Sequence, residues 1–184
     1  MNAGIIASRY AKALLKFVRE TGNGRNVYSQ ACRLVGCMEE VVQFREYLEN
    51  QNEIGPDRKI ELAEAALDGP LSMEMRRFIA LVCERRRMNC FLRILYVFVE
   101  EYRKENGIKV GKLTVAVPAE DLKERMEKAV QEKEGGVVQV EMAVDPKIIG
   151  GFIFEMDGKR MDASVEGRIA RIRRHLVEKN NRIV

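Results

Sequence analysis

At 184 residues, with 46% hydrophobic and 33% charged side chains, the chain has enough apolar material for one packed domain or two small ones, which excludes a disordered chain. Its net charge of +4 is evenly spread: residues 1–106 hold 17 Lys/Arg against 15 Asp/Glu, and residues 107–184 hold 15 against 13, so neither half has the concentrated basic footprint of a nucleic-acid binder. Aromatic residues are 7% and Trp is absent, so platforms for stacking bases are few.

The opening MNAGIIASRYAKAL lacks a long apolar core and a cleavage site, unlike a secretory signal. The most apolar run, CFLRILYVFV (90–99), is interrupted by Arg93 and is far shorter than the roughly 20 residues that span a bilayer. A soluble cytoplasmic protein is expected. Cys32, Cys37, Cys83 and Cys90 are spaced too widely for a zinc site, and the single histidine, His175, is remote from them. Reduced thiols and no metal are the expectation.

The first 106 residues read as successive helices. Ile6, Tyr10, Ala13, Leu14 and Phe17 fall on one stripe of a first helix, closed by the glycines of TGNG (21–24). Val27, Ala31, Leu34, Val35 and Met38 mark a second, and Val41, Phe44 and Leu48 a shorter third. After a loop at 50–56, Pro56 suits the first turn of a fourth helix reaching Leu67, which DGP (68–70) ends. Ser72 is the predicted N-cap of a fifth, with Met75, Phe78, Ile79, Val82 and Cys83 inward. Phe91, Leu92, Ile94, Leu95, Phe98, Val99 and Tyr102 form the cleanest stripe, that of a sixth helix, which ENG (105–107) ends.

The period then changes to two. KVGKLTVAVP (109–118) reads as a strand stopped by Pro118. AEDLKERMEKAVQEKEGG is a helix with acidic residues in its first turn and Leu122, Met126, Ala129 and Val130 inward. VVQVEMAV (137–144) is a second strand, and GFIFEMDGKRMD (151–162) a hairpin turning at Asp157-Gly158. The last helix, from Ser164, carries Val165, Ile169, Ile172 and Leu176 as a core stripe. The expected class is α+β: an N-terminal six-helix bundle over 1–106, then a small C-terminal α/β domain over 107–184 with a short sheet and two helices.

Several features invite a chemical reading and resist it. Gly150-Gly151 fits neither a phosphate loop nor a dinucleotide fingerprint, and it precedes a strand rather than a helix, so a tight turn is expected. Asp145, Asp157 and Asp162 lack the ligand spacing of a calcium loop and suit turn initiation, a type I′ turn and helix capping. His175, in RIRRHL, has no nucleophile motif to serve and is expected at the surface. The basic runs ERRRM (84–88) and RIARIRR (168–174) are expected to flank apolar edges, with stems along the edge and heads in water. Ala3, Ala7, Ala11 and Lys12 lie away from the bulkiest stripe of the first helix, and such small residues suggest a surface where another helix docks.

Three stretches carry a family resemblance: SRYAKAL (8–14), LTVAVPAED (113–121) and VDPKIIGGFIFEMDGKRMDASVEGRI (144–169). Together they resemble the delta subunit of the rotary ATP synthase, the oligomycin-sensitivity-conferring protein of mitochondria, over residues 5 to about 178. Ala163 stands where that family usually has Gly, and Ala119 where Leu is common; the first departure implies that the backbone at 163 needs no positive φ. The resemblance implies a stator subunit without catalysis or cofactor, peripheral at the cytoplasmic face of a bacterial inner or cell membrane and touching the membrane only through the complex. Its implied partners are the N-terminus of the alpha subunit and the C-terminus of the peripheral-stalk subunit b, and no nucleic acid. The implied alpha groove draws on Tyr10, Ala11, Lys12 and Leu14 of the first helix and Arg76, Ile79, Ala80 and Cys83 of the fifth. A helical RNA-binding or antitermination-type module is the alternative, since small six-helix bundles serve there too.

Overall fold

A computed structural model describes residues 3–50 and 55–180, so most of the predicted 50–56 loop lies outside the described residues, as do the side chains of Ala3 and Leu176. The chain forms two compact units, Met1–Asn106 and Gly107–Val184. The class is α+β, with helices dominating the first unit and a four-stranded mixed sheet in the second.

The first unit holds α1 (Ala3–Thr21), α2 (Gly24–Glu40), α3 (Val42–Glu49), α4 (Pro56–Ala66), α5 (Met73–Glu84), a 3-10 turn at Met88–Cys90, and α6 (Phe91–Glu105). The predicted terminators act as expected in three places. Pro56 occupies the first turn of α4, Ser72 caps α5 by accepting from the Met75 N–H at 3.3 Å, and Gly22 takes a φ of 71° after α1. Two further helix ends use other residues in the left-handed position. Asp68 (φ 50°) closes α4, with Gly69 N–H bonded back to the Glu64 carbonyl, and Arg86 (φ 53°) closes α5, with Arg87 N–H bonded back to the Val82 carbonyl. Both are Schellman-type ends built without glycine at that position.

The bundle core is centred on α6, whose Phe91, Ile94, Leu95, Phe98 and Val99 are buried with Leu34, Met38, Met75 and Ile79. Along α1 the buried seam is Ala7, Ala11, Leu14, Leu15 and Val18, not the predicted Ile6/Tyr10/Ala13/Leu14/Phe17 stripe. The two sets have the same spacing, one residue apart, so they differ by a rotation of about 100° about the helix axis. The core takes the alanine side because small side chains let α1 lie close against its neighbours, chiefly α6. That corrects the docking role expected of Ala7 and Ala11: both are fully buried. Lys59 is buried as well, and its ammonium donates to the Leu48 carbonyl at 2.7 Å and to the Asn50 carbonyl, closing the end of α3. Burial holds its pKa below the ordinary lysine value.

The second unit runs β1 (Ile108–Val115), α7 (Glu120–Glu134), β2 (Val137–Val144), a 3-10 turn at Pro146–Ile148, β3 (Phe152–Met156), β4 (Lys159–Asp162) and α8 (Val165–Asn180). The strand order is β2-β1-β3-β4; β1 and β2 are parallel, as a strand–helix–strand unit requires, and the other pairings are antiparallel. One face holds Leu113, Val115, Val138, Val140 and Phe154, with Leu122, Met126 and Val130 of α7 packed on it. Ala129, expected inward, is exposed. On the other face, register places Glu141, Lys112, Glu155 and Arg160 side by side across all four strands, a row of alternating charge. The Glu155–Arg160 pair closes at 3.4 Å.

Candidate partner-docking sites

Because the core claims the alanine side of α1, its bulkier side chains are left at the surface. Ile5 is 58% exposed, while Ile6 and Tyr10 are half-buried and Ala13 is exposed. Leu81 of α5, 38% exposed, faces the same space. With Arg9 and Arg87 these side chains line an open cleft of about 300 Å³. The left-handed turn at Arg86 sets the chain direction that brings Arg87 to its mouth. Large apolar groups rimmed by charge, on two adjacent helices, make a surface suited to the apolar face of a third helix.

Of the eight predicted groove residues, Tyr10 alone lines this cleft. Ala11, Leu14 and Ile79 are buried in the bundle, Ala80 and Cys83 are half-buried, and Lys12 and Arg76 are exposed. Burial holds the Cys83 thiol above its ordinary pKa, and Arg76 pairs with Glu64 of α4 at 2.5 Å. Ile5, Ile6, Arg9, Ala13, Leu81 and Arg87 were not among the predicted set. For Ile6 and Ala13 the signal was present in the sequence, in the apolar stripe of the first helix that was expected to face the core.

Two other clefts mark the bundle. One, of about 570 Å³, lies where α1 gives way to α2. Its wall includes Tyr102, stacked on Tyr28 with centroids 4.7 Å apart, and on its rim Arg19 pairs with Glu105 at 2.5 Å. The other, of about 370 Å³, lies between α3 and α4 and is lined by Tyr47, Arg58, Glu61, Leu62 and Ala65.

In the second unit the double glycine shapes a turn. Gly151 has a φ of 75°, and a Cβ there would stand 2.4 Å from the Ala163 carbonyl oxygen. The Gly150 carbonyl accepts from the Val165 N–H at 2.9 Å, and the Phe152 carbonyl accepts from the Ala163 N–H at 2.9 Å, so the turn is bound to the start of α8. Ala163 is not in the positive-φ region, as its departure from the family glycine implied. Asp157 and Gly158 have φ of 48° and 73°, the signature of the predicted type I′ turn.

Asp162 accepts from the hydroxyl and the N–H of Ser164, at 2.6 and 3.0 Å, and the Ser164 Oγ accepts from the Gly167 N–H at 3.0 Å, which caps α8. The Ser164 hydroxyl, then its N–H, hold the Asp162 carboxyl below its ordinary pKa. Asp145 likewise caps the 3-10 turn by accepting from the Lys147 N–H at 3.0 Å.

The stripe of α8 departs from expectation. Val165, Ile169 and Ile172 are 39%, 54% and 61% exposed, so this face is not part of the unit's core. In the turn before β3, Ile149, a β-branched residue held at a φ of 68°, is also 63% exposed. Arg168 and Arg173 flank the stripe and Arg174 lies opposite it, and all three, with Arg171 and His175, are exposed.

Among the described residues no helix is long and apolar enough to cross a membrane, and no three His, Cys, Asp or Glu side chains cluster so as to hold a metal ion.

Residues 6–176 match the family model for the ATP synthase delta (OSCP) subunit. The chain is 39% identical to the ATP synthase subunit delta of Phocaeicola vulgatus and 34% identical to that of Bacteroides fragilis, over the full length of each. Its fold matches a chain in the cryo-EM structure of the Toxoplasma gondii mitochondrial ATP synthase hexamer with a TM-score of 0.59 at 16% identity, covering 93% of this chain and 97% of that one. A bundle with an open apolar cleft, a sheet unit with an outward apolar helix and full-length similarity to the delta subunits agree: this chain belongs to the ATP synthase delta (OSCP) subunit family.

Proposed function

We propose that the protein is a non-catalytic stator subunit of a rotary ATP synthase, which links the catalytic head to the peripheral stalk and holds both against the torque of the rotor. Its two units, 1–106 and 107–184, act as separate domains with one partner each. The α1–α5 cleft takes the N-terminal helix of an alpha subunit. The exposed face of α8, extended by Ile149, takes the C-terminal end of subunit b. The protein reaches the cytoplasmic side of the membrane only through that complex. The full-length similarity to delta subunits supports this reading over the RNA-binding alternative.

The observation that carries this reading is the placement of apolar side chains. Ile5 and Leu81 on one unit, and Ile169 and Ile172 on the other, stand in water while each unit keeps a full core of its own. Covering such groups with a helix contributes roughly 25 cal/mol per Å² of apolar area buried, and rim charges add orientation. Affinity and stiffness then suffice for the task, with no titrating side chain in a working role.

Calorimetry of the full-length chain with a peptide of the alpha N-terminus tests the first contact. Saturable binding that Leu81→Asp removes supports it; absence of binding would refute the groove assignment.

A further inference from the structure

The rim of the α1–α5 cleft carries information about the helix that it accepts. Four arginines of this bundle are matched by a group on a neighbouring element. Arg19 meets Glu105, Arg76 meets Glu64, Arg103 meets the Tyr28 hydroxyl at 2.8 Å, and Arg33 meets the Leu67 carbonyl. Arg9 and Arg87 come instead from two different segments to one apolar cleft. Among the described residues neither guanidinium has a carboxylate or other side-chain partner.

Arg87 is half-buried, beside the aliphatic surfaces of Ile5, Ile6 and Leu81. A cation partly withdrawn from water without a counter-charge is unfavourable, and a docking helix would withdraw it further unless that helix supplied an acceptor. The acceptor that suits a guanidinium fork is a carboxylate, which can take two parallel N–H donors.

We propose that the cleft selects an amphipathic helix carrying an Asp or Glu at the edge of its apolar seam, held by Arg9 and Arg87. This rests on the reading that the cleft receives the alpha N-terminal helix and adds the charge by which that helix is recognised and set in register. Binding is therefore weakened by salt, as expected for a charge contact at a rim.

The test uses the full-length chain and two synthetic peptides: the alpha N-terminal segment, and the same segment with its Asp and Glu changed to Asn and Gln. At low ionic strength the acidic peptide is expected to bind about tenfold more tightly, the size of two rim ion pairs. Arg9→Gln/Arg87→Gln is expected to erase that difference, leaving both peptides at the weaker Kd, and added salt to narrow it for the parent chain. Equal binding of the two peptides, or an alpha N-terminal segment without any Asp or Glu, would overturn the carboxylate inference and leave the groove assignment standing. Failure of both peptides to bind the parent chain would overturn both. The peptide comparison on the parent chain decides the matter even if the double variant does not fold.

Discussion

Gly151 and Gly158 occupy the same left-handed region of backbone space, with φ of 75° and 73°, yet their surroundings differ. A methyl group at Gly158 would meet nothing within 4 Å, whereas at Gly151 it would stand 2.4 Å from the Ala163 carbonyl oxygen. Gly158→Ala therefore meets only the backbone penalty, about 1 kcal/mol. Gly151→Ala adds a collision with main chain that cannot rotate away, for a loss on the order of 3 kcal/mol. Urea unfolding of the two variants checks the order; equal losses would show that the approach of the turn to residue 163 is not what requires glycine.

Tyr96 offers a test by pH at the same scale. Its hydroxyl donates to the Glu39 carboxylate, and that hydrogen bond, with a smaller part from burial, pushes its pKa from 10.0 up to about 12. A folded-state pKa above the unfolded value means that the contribution is complete below the unfolded pKa and is lost as pH rises through the folded one. The stability gap between the parent and Tyr96→Phe should hold steady up to about pH 10 and close towards 12, as read from urea midpoints across that range. A gap that did not change with pH would contradict the tie between α2 and α6.

At the scale of elements, the helices and strands were legible because period, caps and turn chemistry act locally. Pro56, Ser72 and Asp157-Gly158 each impose a conformation that needs little from the rest of the fold. Which face of a helix meets which neighbour was less legible. On α1, two stripes of identical spacing compete, and only the closeness of α6 decides in favour of Ala7, Ala11, Leu15 and Val18. On α8, periodicity reported an apolar face but not whether it turns towards the chain's own core or away from it. The cleft in the structure shares only Tyr10 with the expected groove for the same reason: a rotation of about 100° puts Ala11 in the core and leaves Ile6, Tyr10 and Ala13 towards the surface.

The register of α1 has a direct test. Ala11→Leu forces a large side chain into a fully buried seam and should destabilise the bundle by about 2 kcal/mol. Ala13→Leu, at an exposed position of the cleft, should stay within about 0.5 kcal/mol of the parent in unfolding while altering peptide binding. The reverse order in thermal or urea melts would return α1 to the register that its bulkier stripe suggests.

At the scale of the molecule, each compact unit closes its own core and leaves apolar side chains outside it, among them those of the cleft of α1 and α5 in the first and of the face of α8 in the second. Exposed apolar surface of this kind lowers solubility and gains nothing for an isolated chain, which supports the proposal that helices of other subunits cover it. A link in a stator needs two such grips, and either one alone transmits no torque.

Coupling in the assembled complex tests that claim most directly. Membranes stripped of this subunit are supplied with the parent chain, with Leu81→Asp, or with Ile169→Asp/Ile172→Asp, and ATP-driven ion pumping is measured. The parent should restore pumping; each variant, although folded, should fail, the first for want of the head and the second for want of the stalk. Full restoration by both variants would show that these two surfaces are not where the protein holds its partners.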